Sequence, residues 1–148
     1  MAASLSALIS PEDVLELEAP DRDALLLALS AHGAERAGID AAQLHAAVLE
    51  RERLYSTALG QGVAMPHVRL PGLKRFSVVL ARSREGVEFS SPDGEKVRLF
   101  LLIVGPAEDK DRYLKLMGRA AKFLRAESAR LIAAADFAAE VPAAAAEY

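Results

Sequence analysis

Apolar positions in this chain follow two spacings. Near the start, and again beyond position 110, they recur at intervals of three and four, while between 76 and 104 they form short unbroken runs bounded by turn residues. The first spacing predicts a helix from Asp21 to His32, which follows Pro20, carries acidic residues in its first turn and the apolar block Ala24 to Leu29, and stops at Gly33. A second helix is predicted from Asp40, a good N-cap with Gln43 three residues on in a capping-box-like arrangement, to about Arg53. Leu44, Ala47 and Val48 share its apolar face, and Arg51 continues that face. A guanidinium there is either half buried and met by an anion or strong acceptors, or lies past the core edge and snorkels outward.

The runs Phe76 to Ala81 and Val97 to Val104 read as strands buried on both faces, the second being the central one. Gly86 and the segment Ser90 to Gly94 supply turns, so Val87 to Phe89 is a short edge strand or part of a hairpin. After Gly105-Pro106, the charged run Glu108-Asp109-Lys110-Asp111 opens an amphipathic helix whose stripe is Tyr113, Leu116, Met117, Ala120, Phe123 and Leu124. Leu131, Ile132 and Phe137 suggest one or two short helices, with the alanine-rich end from Val141 to Tyr148 helical or frayed. With no repeat or linker, residues 1–148 read as a single α/β domain, a sandwich with a mixed central sheet flanked by helices on both faces.

Composition narrows the chemistry. At 148 residues and 52% hydrophobic, the chain can bury one substantial core. A net charge of -3 with 26% charged residues gives no basic footprint, so nucleic acid is not an expected partner. The absence of cysteine removes disulfides, thiolate metal sites and a cysteine nucleophile, and is compatible with a reducing compartment. The stretch MAASLSALIS has no basic residue ahead of its apolar segment, and no run reaches the ~18 apolar residues of a membrane helix. A soluble cytoplasmic protein without membrane insertion is expected. There is no Gly-Lys-Ser/Thr loop and no His-x-x-His or His-Glu-x-x-His pattern, so neither direct use of ATP nor a metal or other cofactor is expected.

One corner of the chain stands apart from these periodic segments. Open α/β sheets bind ligands beyond the carboxyl ends of their strands. Two such ends are visible, Val63-Ala64-Met65 leading into Pro66-His67, and the 97 to 104 strand leading into Gly105-Pro106. If the two are parallel neighbours, His67 and the helical turn holding Tyr113 share one crevice. Imidazole, with an unperturbed pKa of about 6.5, is a nucleophile largely neutral at cytoplasmic pH. Around it, Gly60 and Gly62 permit close backbone approach and unusual dihedrals, Thr57 offers a hydroxyl, and Pro66 stiffens the entry to His67. The same glycines also serve simply to turn a chain, and Thr57 to bond locally. Arg69 reads first as a solvated surface residue and second as a phosphate contact. His32, just before Gly33, suits a helix C-terminus, and His45 lies beside an apolar face.

The segment Arg51-Glu52-Arg53-Leu54-Tyr55-Ser56-Thr57-Ala58-Leu59-Gly60-Gln61-Gly62-Val63-Ala64-Met65-Pro66-His67 resembles the signature of the fructose, mannitol and nitrogen-regulatory IIA domains of the phosphoenolpyruvate-dependent phosphotransferase system. Arg-Glu, Ser-Thr, Gly-x-Gly and an apolar tripeptide closing on Pro-His all match in spacing. The resemblance implies that His67 accepts a phosphoryl group, through Nε2, from the phosphohistidine of the carrier HPr or a nitrogen-branch paralogue, with Arg51 beside that group. It also implies phosphate contacts from the segment holding Thr57, Gly60 and Gly62. Family members commonly carry a second active-site histidine seven residues after the proline of the late Gly-Pro turn; counting from Pro106, that position is Tyr113. A phenol can donate one hydrogen bond there but brings no positive charge. The fructose-type IIB domain that would receive the phosphoryl group uses a cysteine, which this chain lacks. The resemblance therefore leans to the nitrogen-regulatory branch, in which phosphorylation alters binding to a target protein. The alternatives are a sugar-specific IIA serving a separate IIB, and a degenerate homologue that is not phosphorylated.

Overall fold

The computed structural model describes residues 4–148. Its sheet is organised around β6 (Val97–Pro106), where every residue except the half-buried Arg98 is fully enclosed. β5 (Ser77–Val87) runs antiparallel along one edge of β6, and β1 (Val14–Glu16) lies parallel beyond β5. Along the other edge, β3 (Val63–Ala64) and then β4 (His67–Leu70) both pair parallel to β6, and β2 (Ala58–Gly60) lies antiparallel outside β3. Between β3 and β4 stands Pro66, which has no N–H to give the ladder, although its carbonyl still accepts from Ile103 N at 3.0 Å.

Side chains of β6 alternate between two cores. Leu99, Leu101 and Ile103 face α4 (Lys110–Ala133) and α5 (Phe137–Ala145), whereas Phe100, Leu102 and Val104 face α2 (Arg22–Ala37) and α3 (Ala41–Leu54). A short α1 (Leu5–Leu8) and a 3-10 turn (Pro11–Asp13) complete the first face. The result is the mixed sheet with helices on both faces that the patterning predicts. Each long helix starts on an aspartate, and the side chains of Asp21, Asp40, Asp109 and Asp136 accept a backbone N–H from the residue three positions on.

Three boundaries differ from expectation. α2 does not stop at Gly33 but continues to Ala37 and ends on Gly38, whose φ of 72° supplies the left-handed cap. Gly33 instead permits close packing, since a Cβ there would lie 2.8 Å from a methyl of Leu102. β5 does not end at Ala81; it bulges after Arg82 and re-pairs Val87 with Val97, so of the two readings of Val87 the hairpin holds and the separate edge strand does not. Leu131 and Ile132 lie in the last turns of α4, and only Phe137 opens a short helix of its own.

The bulge follows a buried charge. Arg82 is 1% exposed, donating from Nε and Nη2 to the Glu16 carboxylate at 2.9 and 2.5 Å and from Nη1 to the carbonyls of Leu131 and Ala134 at 2.9 and 2.6 Å. Its guanidinium also stacks 4.9 Å from the centre of the Phe137 ring. This single side chain thus ties β1, β5 and the end of α4 together. Removing it leaves the carbonyls of Leu131 and Ala134 without their donor, while Glu16, half exposed, turns to solvent, a loss of about 1–3 kcal/mol. Arg82→Met is accordingly expected to lower the urea midpoint with an unchanged denaturant slope. A shift equivalent to less than about 1 kcal/mol would show the network to be dispensable.

Candidate functional site

The parallel pairing of β4 with β6 sets His67 opposite Ile103 and Leu70 opposite Pro106, from which the chain turns into α4. α3 packs across β4 from the other side. Where these elements meet, an open cleft of about 500 Å³ is lined by Glu50, Arg51, His67, Arg69, Ala107 and Tyr113, among others. His67 and Tyr113 share a crevice as the sequence predicts, but not because the two strand ends coincide: β3 ends opposite Phe100, and His67 opens a further parallel strand, β4, that runs on to the end of β6.

His67 Nδ1 lies 2.8 Å from the Met65 carbonyl oxygen. A carbonyl can only accept, so Nδ1 carries the proton, and the neutral ring holds its lone pair on Nε2. Burial is the main influence on this ring and pushes its pKa below the ordinary histidine value. The Arg51 charge acts in the same direction, while the bond to Met65 and the Glu52 carboxylate oppose it in part. At neutral pH the ring is therefore an uncharged nucleophile.

The Met65 carbonyl is itself held from behind. Glu52, 2% exposed, accepts the Thr57 backbone N–H and the Thr57 hydroxyl, one on each carboxylate oxygen and both at 2.5 Å. The Thr57 carbonyl takes the Met65 N–H at 3.0 Å. A chain of bonds thus runs from the last turn of α3 through Thr57 and Met65 to the imidazole. Glu52 was legible only as one letter of the Arg-Glu pair; its burial is what marks it, since a buried carboxylate survives only with donors of this kind.

Arg51 resolves its two open readings by taking some of each. The guanidinium is partly exposed, donates from Nη1 to the Tyr55 carbonyl at 3.0 Å, and lies 6.0 Å from the centre of the exposed Tyr55 ring at the edge of the cleft. Tyr113 is buried, with its ring centre 6.1 Å from that of His67. Burial raises its hydroxyl well above the usual phenol range, so the side chain stays neutral. Arg69, exposed as expected, nevertheless lies over the Tyr113 ring at 5.3 Å and lines the same cleft.

Three candidates are placed elsewhere. Thr57 is buried and gives its hydroxyl to Glu52, so it positions rather than meets a ligand. Gly60 and Gly62, with φ of 86° and 78°, flank Gln61 in the turn between β2 and β3, where Gln61 N–H binds Asp93. The Gly62 carbonyl pairs with Leu99 on β6 while His67 pairs with Ile103, roughly 13 Å further along the strand. Neither glycine lines the cleft, because β3 carries the chain away from the turn before His67 is reached. His32 binds Asp13 at 2.9 Å rather than capping a helix, and His45 lies within α3 and does not line this cleft. Among the described residues no three His, Asp or Glu side chains converge as metal ligands, and no helix is long and apolar enough to cross a membrane.

The model of the family "Phosphoenolpyruvate-dependent sugar phosphotransferase system, EIIA 2" matches residues 8–141. A nitrogen regulatory protein of Bradyrhizobium diazoefficiens is 34% identical over 122 residues, covering 82% of this chain and 80% of that protein. A fructose-specific EIIA component of Haloferax volcanii is 31% identical over 84 residues, covering 57% of this chain and 54% of its own length. Among solved structures, the nitrogen regulatory protein IIA-Ntr of Neisseria meningitidis superimposes with a TM-score of 0.87 at 27% identity, covering 95% of this chain and 97% of that one. The mannitol IIA of Escherichia coli shares the fold, with a TM-score of 0.71 at 21% identity over 86% of this chain and 92% of its own.

The His67 environment makes a direct prediction. In an NMR titration its ring should ionise below 6.5, with the Nδ1–H tautomer present above that point, because burial disfavours the cation. A midpoint at or above 6.5 would contradict the burial and the bonding described.

Proposed function

Because the chain belongs to the phosphoenolpyruvate-dependent sugar phosphotransferase system EIIA 2 family, we propose that His67 takes a phosphoryl group from the phosphohistidine of HPr or a nitrogen-branch HPr paralogue. The observation that carries this reading is the Nδ1 bond to the Met65 carbonyl, which leaves the Nε2 lone pair for the cleft that Arg51 lines. In the transfer, that lone pair attacks phosphorus while the donor's N–P bond breaks and its electron pair stays on the donor nitrogen. The new bond forms at Nε2, the ring keeps its Nδ1 proton, and the positive charge this creates is stabilised by the Met65 carbonyl. Arg51 faces the charge that spreads over the three equatorial oxygens of the transferring group. Tyr113 stands where the family resemblance implies a second histidine; as a neutral group it cannot supply a cation there, and a slower relay is the expected consequence.

Within the family, the nitrogen-regulatory branch is favoured by the relative from Bradyrhizobium, which aligns over four-fifths of both chains, and by the Neisseria structure. On this reading the phosphoryl group, carrying about two negative charges, changes the surface offered to a regulatory target. A sugar-specific role, passing the phosphoryl group to a separate IIB protein, is the second reading, and the similarity to the Haloferax fructose component supports it over a shorter span.

Intact-mass spectrometry after incubation with phosphoenolpyruvate, enzyme I and HPr, or their nitrogen-branch counterparts, tests the reading. One acid-labile phosphoryl adduct is expected on the native chain and none on His67→Ala, while Arg51→Ala should react roughly 10²–10³-fold more slowly. An adduct that persists in His67→Ala, or no adduct with either set of donors, would refute the assignment.

A further inference from the structure

The cleft holds a neutral imidazole and a neutral phenol, yet the group proposed to enter it is a dianion. Two guanidiniums line it, those of Arg51 and Arg69. Residues 67 and 69 are two apart on β4, so their side chains project from the same face of the strand. The Tyr113 ring spans both, 6.1 Å from the His67 ring and 5.3 Å from the Arg69 guanidinium. A planar guanidinium stacked on an aromatic face keeps its in-plane N–H fork free to point outward.

The bonding of Arg69 fits that role. Its hydrogen bond is a long one, 3.5 Å from Nη1 to the Ala107 carbonyl, and among the described residues no carboxylate forms an ion pair with it. Arginines elsewhere in the fold, Arg36, Arg82 and Arg130, are tied to carboxylates. The two that line the cleft are bonded to carbonyls, which leaves their positive charge uncompensated toward a ligand. Glu50 also lines the cleft, but it is exposed and its charge is screened by solvent.

We infer that Arg69, stacked on Tyr113, is a second phosphoryl-binding cation, and that the Arg69–Tyr113 pair supplies from β4 the positive charge that the residue at position 113 does not. The inference rests on the reading of His67 as phosphoryl acceptor. In the transition state Arg51 and Arg69 contact the equatorial oxygens from two sides, and no bond to either arginine forms or breaks.

Phosphoramidate, a small donor that needs no protein docking, separates this role from partner recognition. Its P–N bond breaks, ammonia leaves, and the phosphoryl group passes to His67 Nε2. With that donor, Arg69→Ala and Arg69→Met should both phosphorylate roughly 10–100-fold more slowly than the native chain, and Arg69→Lys should recover part of the loss. Arg69 is exposed, so thermal unfolding of all three variants should stay close to that of the native chain. A native rate in Arg69→Met, which keeps the apolar stem on Tyr113, would reduce the residue to packing and overturn the inference. A loss confined to the HPr-type donor, with the phosphoramidate rate unchanged, would overturn it in favour of docking. Failure of the native chain to react at His67 with any donor would instead refute the reading on which the inference stands.

Discussion

The bond from His67 Nδ1 to the Met65 carbonyl is the constraint on which the site depends. It selects the tautomer, fixes the ring plane and leaves one nitrogen free for chemistry. Met65 lies in the break between β3 and β4, where Pro66 gives its carbonyl to Ile103 of β6 while the N–H of Met65 turns the other way, to Thr57. The Met65 carbonyl accepts from the ring two residues on. The chain of bonds through Glu52 and Thr57 then holds this break against the end of α3. A local interruption of the sheet becomes a rigid mount for the imidazole.

Rigidity of that mount comes from the burial of β6. Its side chains fill one core with α4 and α5 and the other with α2 and α3, so neither face can shift without opening packed apolar surface. β4 inherits its position from pairing with β6, and α4 starts four residues beyond the end of β6. His67 and Tyr113, distant in sequence, meet because both are attached to the same end of this strand. Arg82 does a comparable job at the other edge, where a buried guanidinium ties β1 and the end of α4 into the bulge of β5.

Electrostatically the cleft separates two tasks. Burial favours the neutral form of the His67 ring, and likewise of the tyrosine beside it. Positive charge is held at the rim, on guanidiniums that remain ionised under all ordinary conditions. A site that uses a second imidazole for charge would lose it as pH rises; one that uses arginine would not.

Much of this was legible along the chain. The unbroken run from Val97 to Val104 marks a strand buried on both faces, the aspartates at 21 and 40 mark helix starts, and the order of elements implies a mixed sheet between helices. The segment from Arg51 to His67, read as a pattern, singles out His67 and Arg51. What spacing could not reveal is which polar groups spend their bonding on the protein itself. Thr57, Gly60 and Gly62 look like ligand contacts because they stand near His67 in sequence, yet Glu52 claims the threonine and a strand's length separates the glycines from the ring. Gly33 looks like a helix stop because a missing side chain reads the same whether it frees a turn or admits a neighbour; only the approach of Leu102 distinguishes them. Arg69 reads as a surface arginine first and a phosphate contact second, and the Tyr113 ring beneath it is what spacing could not show. Local periodicity and the residue types at each end determine which elements form, since those depend on short-range sterics and on burial. Which side chains face one another is decided by the register of β4 on β6 and the packing of α3 and α4, long-range contacts that leave no spacing in the chain.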